Sequence, residues 1–162
     1  MREKAAFQKR FSIVKAELDD VKKLVEAETL CEKKPRSPQT IKRDLQLPNA
    51  VLNLIVSENR SVEGYVSGGI VLDEFEIHSL GINPRFRRMG LATRLLHHTI
   101  KEVVQQRVKR IFLEVRRSNV AAQNLYKRCG FEFLQERKSY YHDGEDALVM
   151  VRETKDHSIY GE

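Results

Sequence analysis

The chain has 162 residues, 41% hydrophobic and 32% charged, which is typical of one globular domain with a sizeable core. Its net charge of +6 is uneven, because residues 85–138 hold 14 Lys or Arg but only 4 Asp or Glu, and a local basic surface suits a nucleic acid or a nucleotide cofactor equally. No apolar run approaches the roughly 20 residues of a membrane span, and the charged N-terminus MREKAAFQKRF has no secretory signal pattern, so we expect a cytoplasmic protein.

The first half of the chain predicts one strand, two helices and a meander. The segment FSIVKAEL predicts a strand, and a helix follows from about Asp19 to Leu30, with Leu30 among its apolar positions. The polar, proline-containing stretch CEKKPRSPQTIKRDLQLP predicts one short helix that begins near Ser37. VLNLIVSE, VEGYVSGGIVL and FEIHSLGI then predict three strands of an antiparallel meander.

In the second half the hydrophobic period changes from two to about 3.6 residues. Gly90 to about Arg107 predicts a helix with one broad apolar face, and RIFLEV a short strand. SNVAAQNLYKRCGF predicts a helix capped by Ser118 or Asn119 and ended by Gly130, before two more strands in FEFLQERKSYY and DALVMVRE. This order predicts a mixed α/β fold, in a single domain over residues 1–153 with a loose charged tail over residues 154–162.

The turn GINPRFRRMGLA joins a predicted strand to a predicted helix and crowds positive charge there. A helix start offers unpaired backbone N–H groups and the positive end of the helix dipole, which together favour an anion. Gly90 allows close approach to the backbone, Ala92 keeps the first turn narrow, and Arg87 and Arg88 supply charge-assisted donors for phosphate oxygens. A solvated basic turn that precedes a helix is the simpler alternative.

The pattern Arg87-x-x-Gly90-x-Ala92 resembles the R/Q-x-x-G-x-G/A signature of the GNAT (Gcn5-related) N-acetyltransferases. RIFLEVRRSNVAAQNLYKRCGF is similar to the next strand and helix of that superfamily, more narrowly of its RimI and Ard1-type N-terminal acetyltransferases, and KSYYHDGEDALVMVRE is similar to their closing segment. The resemblance runs from Phe75 to Glu153. It implies the GNAT fold, a central twisted mixed sheet flanked by helices, and acetyl-CoA as the cosubstrate.

The resemblance also implies where coenzyme A binds. The basic turn would hold the diphosphate, the strand before it would pair with the pantetheine amides, and the start of the later helix would contact the pantetheine arm. An ordinary strand glycine and a helix cap are the structural alternatives for Gly81 and Asn119. The predicted cofactor-binding residues are Leu80, Gly81, Ile82, Arg87, Arg88, Met89, Gly90, Leu91, Ala92, Thr93, Asn119 and Tyr126.

Glu114 and Tyr126 are the predicted catalytic residues. Glu114 interrupts IFLEV, a run apolar enough to predict a strand buried on both faces, where an unpaired carboxylate is costly; a pair with Arg116 or Arg117 is the structural alternative. The resemblance implies that Glu114 is the general base, directly or through water. It also implies that Tyr126 protonates the coenzyme A thiolate, although its helical spacing alone favours a core residue. We expect direct attack, because Cys129 near a helix C-terminus is a poor nucleophile.

The predicted substrate-binding residues are Tyr140, Tyr141 and His78. The tyrosine pair resembles the pair that lines the peptide groove of N-terminal acetyltransferases, and His78 lies on the strand beside the predicted reaction centre. Aromatic strand residues and a structural histidine are the alternatives. We predict no metal, because two adjacent histidines and two cysteines do not form a ligand set.

The residues as interpreted favour an α-amine acceptor. An α-amine has a pKa near ~8 and a lysine near ~10.4, so one carboxylate supplies the neutral α-amine more easily at physiological pH. The sequence therefore predicts acetyl transfer from acetyl-CoA to a free protein N-terminus, such as that of a ribosomal protein or nascent chain, in a ternary complex. A lysine or small amine is the alternative acceptor. A basic ribosome- or nucleic-acid-binding module is disfavoured, because Tyr140 and Tyr141 are not interleaved with the arginine cluster.

Overall fold

The computed structural model describes Phe7 and residues 10–154, which form a seven-stranded mixed sheet with two helices on each face. The sheet order is β1-β2-β3-β4-β5-β7-β6, and among these described strands only the β4–β5 pair is parallel. The predicted mixed α/β fold is confirmed. The strands are β1 (Phe11–Lys15), β2 (Ala50–Ser57), β3 (Val62–Val71), β4 (Glu74–Ile82), β5 (Arg110–Arg116), β6 (Glu132–Arg137) and β7 (Ala147–Glu153), and the helices are α1 (Val21–Cys31), α2 (Pro38–Gln46), α3 (Leu91–Gln105) and α4 (Val120–Arg128).

Local capping explains where several elements begin and end. β1 stops three residues earlier than FSIVKAEL predicts, because Glu17 and Asp20 cap a short 3-10 turn that leads into α1. The helix predicted near Ser37 is α2, whose N-cap hydroxyl accepts a hydrogen bond from the Thr40 N–H at 3.1 Å. At the start of α4, Asn119 is the cap, with its side-chain oxygen 3.1 Å from the Ala122 N–H.

Two apolar clusters lie on opposite faces of the sheet. The larger one packs α3 and α4 against the sheet and contains five buried side chains of α3: Leu91, Leu95, Leu96, Ile100 and Val103. The smaller one packs α1 and α2 against β2 and β3. Leu30, predicted among the apolar positions of α1, is 55% exposed and belongs to neither cluster. Because α1 and α2 lie mainly over one half of their face, the part of that face formed by β5–β7 has no helix on it among the described residues.

This uneven cover corrects one prediction about β5. The strand is buried on one face only: Ile111, Leu113 and Val115 enter the larger cluster, whereas Phe112 and Glu114 remain partly exposed on the other face. The prediction of a strand buried on both faces was wrong, because an apolar run does not reveal which half of a sheet the helices cover. Glu114 therefore lies on the open face of the sheet.

The ends of the chain are only partly described. Thr154 donates from its backbone N–H to the Lys109 carbonyl at 2.8 Å and from its hydroxyl to the Val108 carbonyl at 2.6 Å, so the first residue of the predicted tail is held in place. The rest of that tail lies outside the described residues, and the domain bounds of residues 1–153 stay a prediction. No helix within the described part of the chain is long and apolar enough to cross a membrane.

Candidate active site

The parallel strands β4 and β5 separate at the centre of the sheet. Their pairing runs from Glu74 with Arg110 to Ile77 with Leu113 and stops there, although β4 continues to Ile82. Beyond this point β4 remains paired with β3, so its other edge faces a gap. A cleft of about 470 Å³ opens at the gap, and its walls include Leu80, Glu114, Asn119, Tyr126 and Tyr141.

The basic turn closes one end of β4. Asn83 anchors the turn, with its side-chain amide donating to Glu63 at 2.7 Å and its side-chain oxygen accepting from the Arg85 N–H at 3.1 Å. Gly90 then occupies the N-cap of α3 with φ of 82°, a left-handed conformation that glycine adopts without a side-chain penalty. The first-turn N–H groups of α3 lack intrahelical acceptors, so this end of the helix can receive an anion.

Arg87 and Arg88 lie differently in this turn. The Arg87 guanidinium turns back and donates from Nε to the Ile82 carbonyl at 3.1 Å, which ties the turn to the end of β4. Arg88 is exposed and has φ of 64°, so it adopts a left-handed conformation just before Gly90. The turn thus combines a fixed backbone, a helix N-terminus and two guanidinium groups, and these features fit the diphosphate of acetyl-CoA.

Replacing Gly90 with Ala is expected to raise the KM for acetyl-CoA about tenfold, because a left-handed conformation costs a residue with a Cβ roughly 1–2 kcal/mol and the turn would relax away from its anion-binding shape. Saturation kinetics with acetyl-CoA measure the effect. Gly144→Ala is a matched control, since Gly144 also has φ of 82° with no atom within 4 Å of an added Cβ, but lies in the turn between β6 and β7. An equal rise in both variants would contradict a diphosphate site at Gly90.

The strand before the turn is shaped by packing as well as by any ligand. A Cβ on Gly81 would lie 2.7 Å from the buried ring of Tyr65, so this glycine is required by its neighbour on β3. Leu80 lines the cleft, whereas Ile82 is buried in the larger cluster. The glycine signal in the sequence therefore has a structural cause, and the assignment of Leu80, Gly81 and Ile82 to pantetheine stays a prediction.

Glu114 is held by residues from the far edge of the sheet. Its Oε1 lies 2.6 Å from Nη1 of Arg137 on β6, and a hydrogen bond with Glu114 raises the pKa of the Tyr140 hydroxyl. The expected alternative partners of Glu114 are engaged elsewhere: Arg116 pairs with Asp143 and Glu145, and Arg117 pairs with Glu136 and Asp146. Glu114 is thus a paired carboxylate on the wall of the cleft.

Tyr126 is both a core residue and a cleft residue. Its side chain is 8% exposed, and its ring meets Phe131 edge-on at 5.8 Å between centroids. Burial, together with the nearby negative charge of Glu32, raises the pKa of Tyr126 to about 12, so the phenol keeps its proton at neutral pH. A buried, protonated phenol on the cleft wall is suited to donate a proton there.

The tyrosine pair lies in the turn between β6 and β7, just beyond the strand in which its segment was expected. The rings of Tyr140 and Tyr141 meet edge-on at 5.2 Å, and the Arg116 guanidinium lies 3.9 Å from the Tyr141 ring centroid. Arg116 also binds Asp143 at 2.9 Å, which fixes the turn against β5. Tyr141 lines the cleft and Tyr140 is nearly half exposed, so the turn forms one side of the cleft mouth.

The end of α1 and the loop after it also line the cleft, with polar residues that the sequence did not mark. The Glu32 carboxylate accepts hydrogen bonds from the hydroxyls of Tyr65 and Ser79, each at 3.1 Å. The nearly inaccessible carboxylate of Glu28 is bound by Arg36 through its backbone N–H and Nε, both at 2.9 Å, and through Nη2. Glu32 and Arg36 fall in the polar stretch without clear periodicity, and Glu28 lies near the end of α1, so no sequence signal marked them.

Two more polar side chains reach the cleft from the strands. His78, a predicted substrate-binding residue, is exposed on β4 and lines the cleft. The buried Ser67 hydroxyl on β3 also lines the cleft and has no hydrogen-bond partner among the residues that the structure describes. Over residue 7 and residues 10–154, no three His, Cys, Asp or Glu side chains are grouped to hold a metal ion.

Comparison with known proteins identifies the family. Residues 18–131, more than half of the chain, match the model of the Acetyltransferase (GNAT) family. The chain belongs to the GNAT family. The fold and the enzyme class predicted from the resemblance, an acetyl-CoA-dependent acetyltransferase, are therefore confirmed.

Relatives within the family include N-terminal acetyltransferases. The ribosomal protein bS18-alanine N-acetyltransferase of Escherichia coli is 37% identical over 103 residues, which are 62% of this chain and 70% of that protein. An N-alpha-acetyltransferase of Sulfurisphaera tokodaii is 40% identical over 74 residues, 45% of this chain and 44% of the relative. This GNAT chain is thus similar to bacterial and archaeal members, as the resemblance to the RimI and Ard1 branches implies.

Solved structures give the same relationship. The crystal structure of the Escherichia coli ribosomal alanine N-acetyltransferase superposes with a TM-score of 0.82 and 28% identity, and covers 93% of this chain and 99% of its own. Ard1 from Thermoplasma volcanium has a TM-score of 0.80 and 22% identity over 91% of this chain and 99% of its own, which shows the shared GNAT fold.

Proposed function

We propose that this GNAT enzyme transfers an acetyl group from acetyl-CoA to the free α-amino group of a protein N-terminus, by direct attack within a ternary complex. The observation that carries the proposal is the joint placement of Glu114 and Tyr126 on the walls of one cleft between the separated strands β4 and β5. The names of the Escherichia coli and Sulfurisphaera tokodaii relatives, both N-acetyltransferases, support an amine as the acceptor.

Different elements around the cleft would bind the different parts of the two substrates. The first turn of α3 with Arg87 and Arg88 would hold the diphosphate, and the free edge of β4 would hold the pantetheine arm. The acceptor would enter between Tyr141 and the loop after α1, opposite the diphosphate end. In this arrangement the thioester and the amine meet beside Glu114.

Each proton then has a defined destination. Glu114 takes a proton from the acceptor ammonium, directly or through water, and the neutral nitrogen attacks the thioester carbonyl carbon. A C–N bond forms and the C–S bond breaks, while the phenol of Tyr126 gives its proton to the departing sulfur. The attacking nitrogen still carries one extra proton after the C–N bond forms, and it passes this proton to the Tyr126 phenolate, directly or through water. Solvent then removes the proton on Glu114. Burial raises the pKa of the Cys129 thiol, which supports direct attack over an acetyl-cysteine intermediate.

The acceptor that we propose is the N-terminus of a ribosomal protein or a nascent chain in the cytoplasm. The Escherichia coli relative is named for a ribosomal protein whose alanine it acetylates, which supports this class of acceptor. Two free thiols, Cys31 and Cys129, are consistent with a reducing compartment.

A panel of short peptides with different first residues tests the proposal. Each peptide is offered with acetyl-CoA, beside lysine peptides with blocked N-termini and beside small amines. We expect turnover only with free N-termini. Transfer restricted to blocked lysine peptides or small amines would assign another acceptor, and salt-dependent nucleic-acid binding without any transfer would contradict the enzyme function at this site.

A further inference from the structure

The carboxylate of Glu114, which is expected to receive the acceptor's proton, is already paired with a cation. Arg137 reaches across the open face from β6, and its Nη1 lies 2.6 Å from Oε1 of Glu114. The same guanidinium lies 5.4 Å from the ring centroid of Tyr140 and shares a hydrogen bond with its hydroxyl. Glu114, Arg137 and Tyr140 therefore form one small network on the open face.

This network lies between two cavities. Glu114 lines both the main cleft of about 470 Å³ and a second groove of about 260 Å³, whose floor includes Phe112 and Val149. Arg137 lines the second groove, so its guanidinium approaches Glu114 from the side away from the β4–β5 gap. An amine that enters the main cleft therefore approaches Glu114 from the side opposite to Arg137.

The ion pair between Arg137 and Glu114 is weak enough for another cation to replace the arginine. The Arg137 side chain is 47% exposed and that of Glu114 is 17% exposed, so water screens their attraction. Ion pairs of this exposure change an equilibrium constant by up to about fivefold. An acceptor ammonium can therefore replace the guanidinium, and the flexible arginine side chain can return to solvent.

We propose that Arg137 is a displaceable counter-ion, which occupies Glu114 in the absence of acceptor and which the acceptor's ammonium group must replace before the proton moves. The proposal rests on the proposed role of Glu114 in amine acetylation. Arg137 then acts through Glu114. Its presence weakens acceptor binding, and its removal leaves the chemical step intact.

The test compares the wild-type enzyme with Arg137→Gln and Arg137→Lys in steady-state kinetics on an accepted peptide. We expect Arg137→Gln to lower the peptide KM about two- to fivefold, because the competing cation is gone. The values of kcat and of the acetyl-CoA KM should stay near the wild type. Arg137→Lys retains the cation and should keep a KM close to the wild-type value.

Arg110→Gln is the matched control. Arg110 forms an ion pair with Glu74 at the far end of the same face, where the side chains are 50% and 41% exposed. The substitution Arg110→Gln removes the same charge as Arg137→Gln but does not affect the Glu114 ion pair, so it should leave the peptide KM unchanged. An equal fall in KM in both variants would assign the effect to net charge and overturn the proposal, as would an unchanged or higher KM or a lower kcat in Arg137→Gln.

The outcome is separable from that of the proposed function. The comparison uses whichever amine the panel identifies as the acceptor, because the competition concerns its ammonium group. Turnover of lysine peptides with the expected KM shift would refute N-terminal specificity and retain the role of Arg137. Absence of turnover with every amine would overturn both, since no ammonium would then use Glu114.

Discussion

Replacing Glu114 with Gln is expected to lower kcat by about 10²- to 10⁴-fold, the range that a positioned general base contributes. The amide has nearly the same shape and can still contact Arg137 and Tyr140, but it cannot accept a proton from the acceptor ammonium. The KM for acetyl-CoA should stay unchanged, because the basic turn is intact. Steady-state kinetics at pH 7 with a peptide from the panel measure both constants.

The dependence of this loss on pH gives a second check. An α-amine with a pKa near ~8 is mostly neutral at pH values near ~9.5, so the need for a base falls and the defect of Glu114→Gln should shrink as pH rises. Glu76→Gln is the control. This substitution removes the same charge as Glu114→Gln, but Glu76 lies on β4 and lines the second groove. A constant defect at all pH values would indicate that Glu114 acts by holding the acceptor and not by taking its proton.

Replacing Tyr126 with Phe is expected to lower kcat about 10²-fold, at the lower end of the general-acid range because a thiolate leaves readily. The ring remains, so its edge-on contact with Phe131 and the packing of α4 should survive. Tyr65→Phe is the matched control: it also removes a buried hydroxyl, but one that binds Glu32, and we expect its kcat to stay close to the wild-type value.

The pH profile of activity tests the protonation state assigned to Tyr126. Tyr126 must be protonated to act as an acid, so activity would fall as pH rises through its pKa of about 12. This lies above the usual assay range, so wild type and Tyr126→Phe should have profiles of the same shape and different height. Full activity in Tyr126→Phe would show that another group, or water, protonates the sulfur.

The sequence by itself determined the order of the elements and the place of the basic turn. Alternating and 3.6-residue periods are local signals, and so are the caps Ser37 and Asn119. Gly90 could be identified for the same reason, because a left-handed conformation at a helix start favours glycine at that one position. The resemblance then singled out Glu114 and Tyr126 as catalytic candidates, and the structure brings both to one cleft.

Only the tertiary structure decided what surrounds those residues. Glu114 and Arg137 meet because β7 lies between β5 and β6 in the sheet, a pairing order that no local pattern encodes. The open side of β5 follows from the limited cover by α1 and α2, and the requirement for Gly81 follows from the ring of Tyr65 on the neighbouring strand. Contacts between segments distant in sequence depend on how strands pair and helices pack, so residues such as Glu32 and Arg137 joined the site only when the chain was folded.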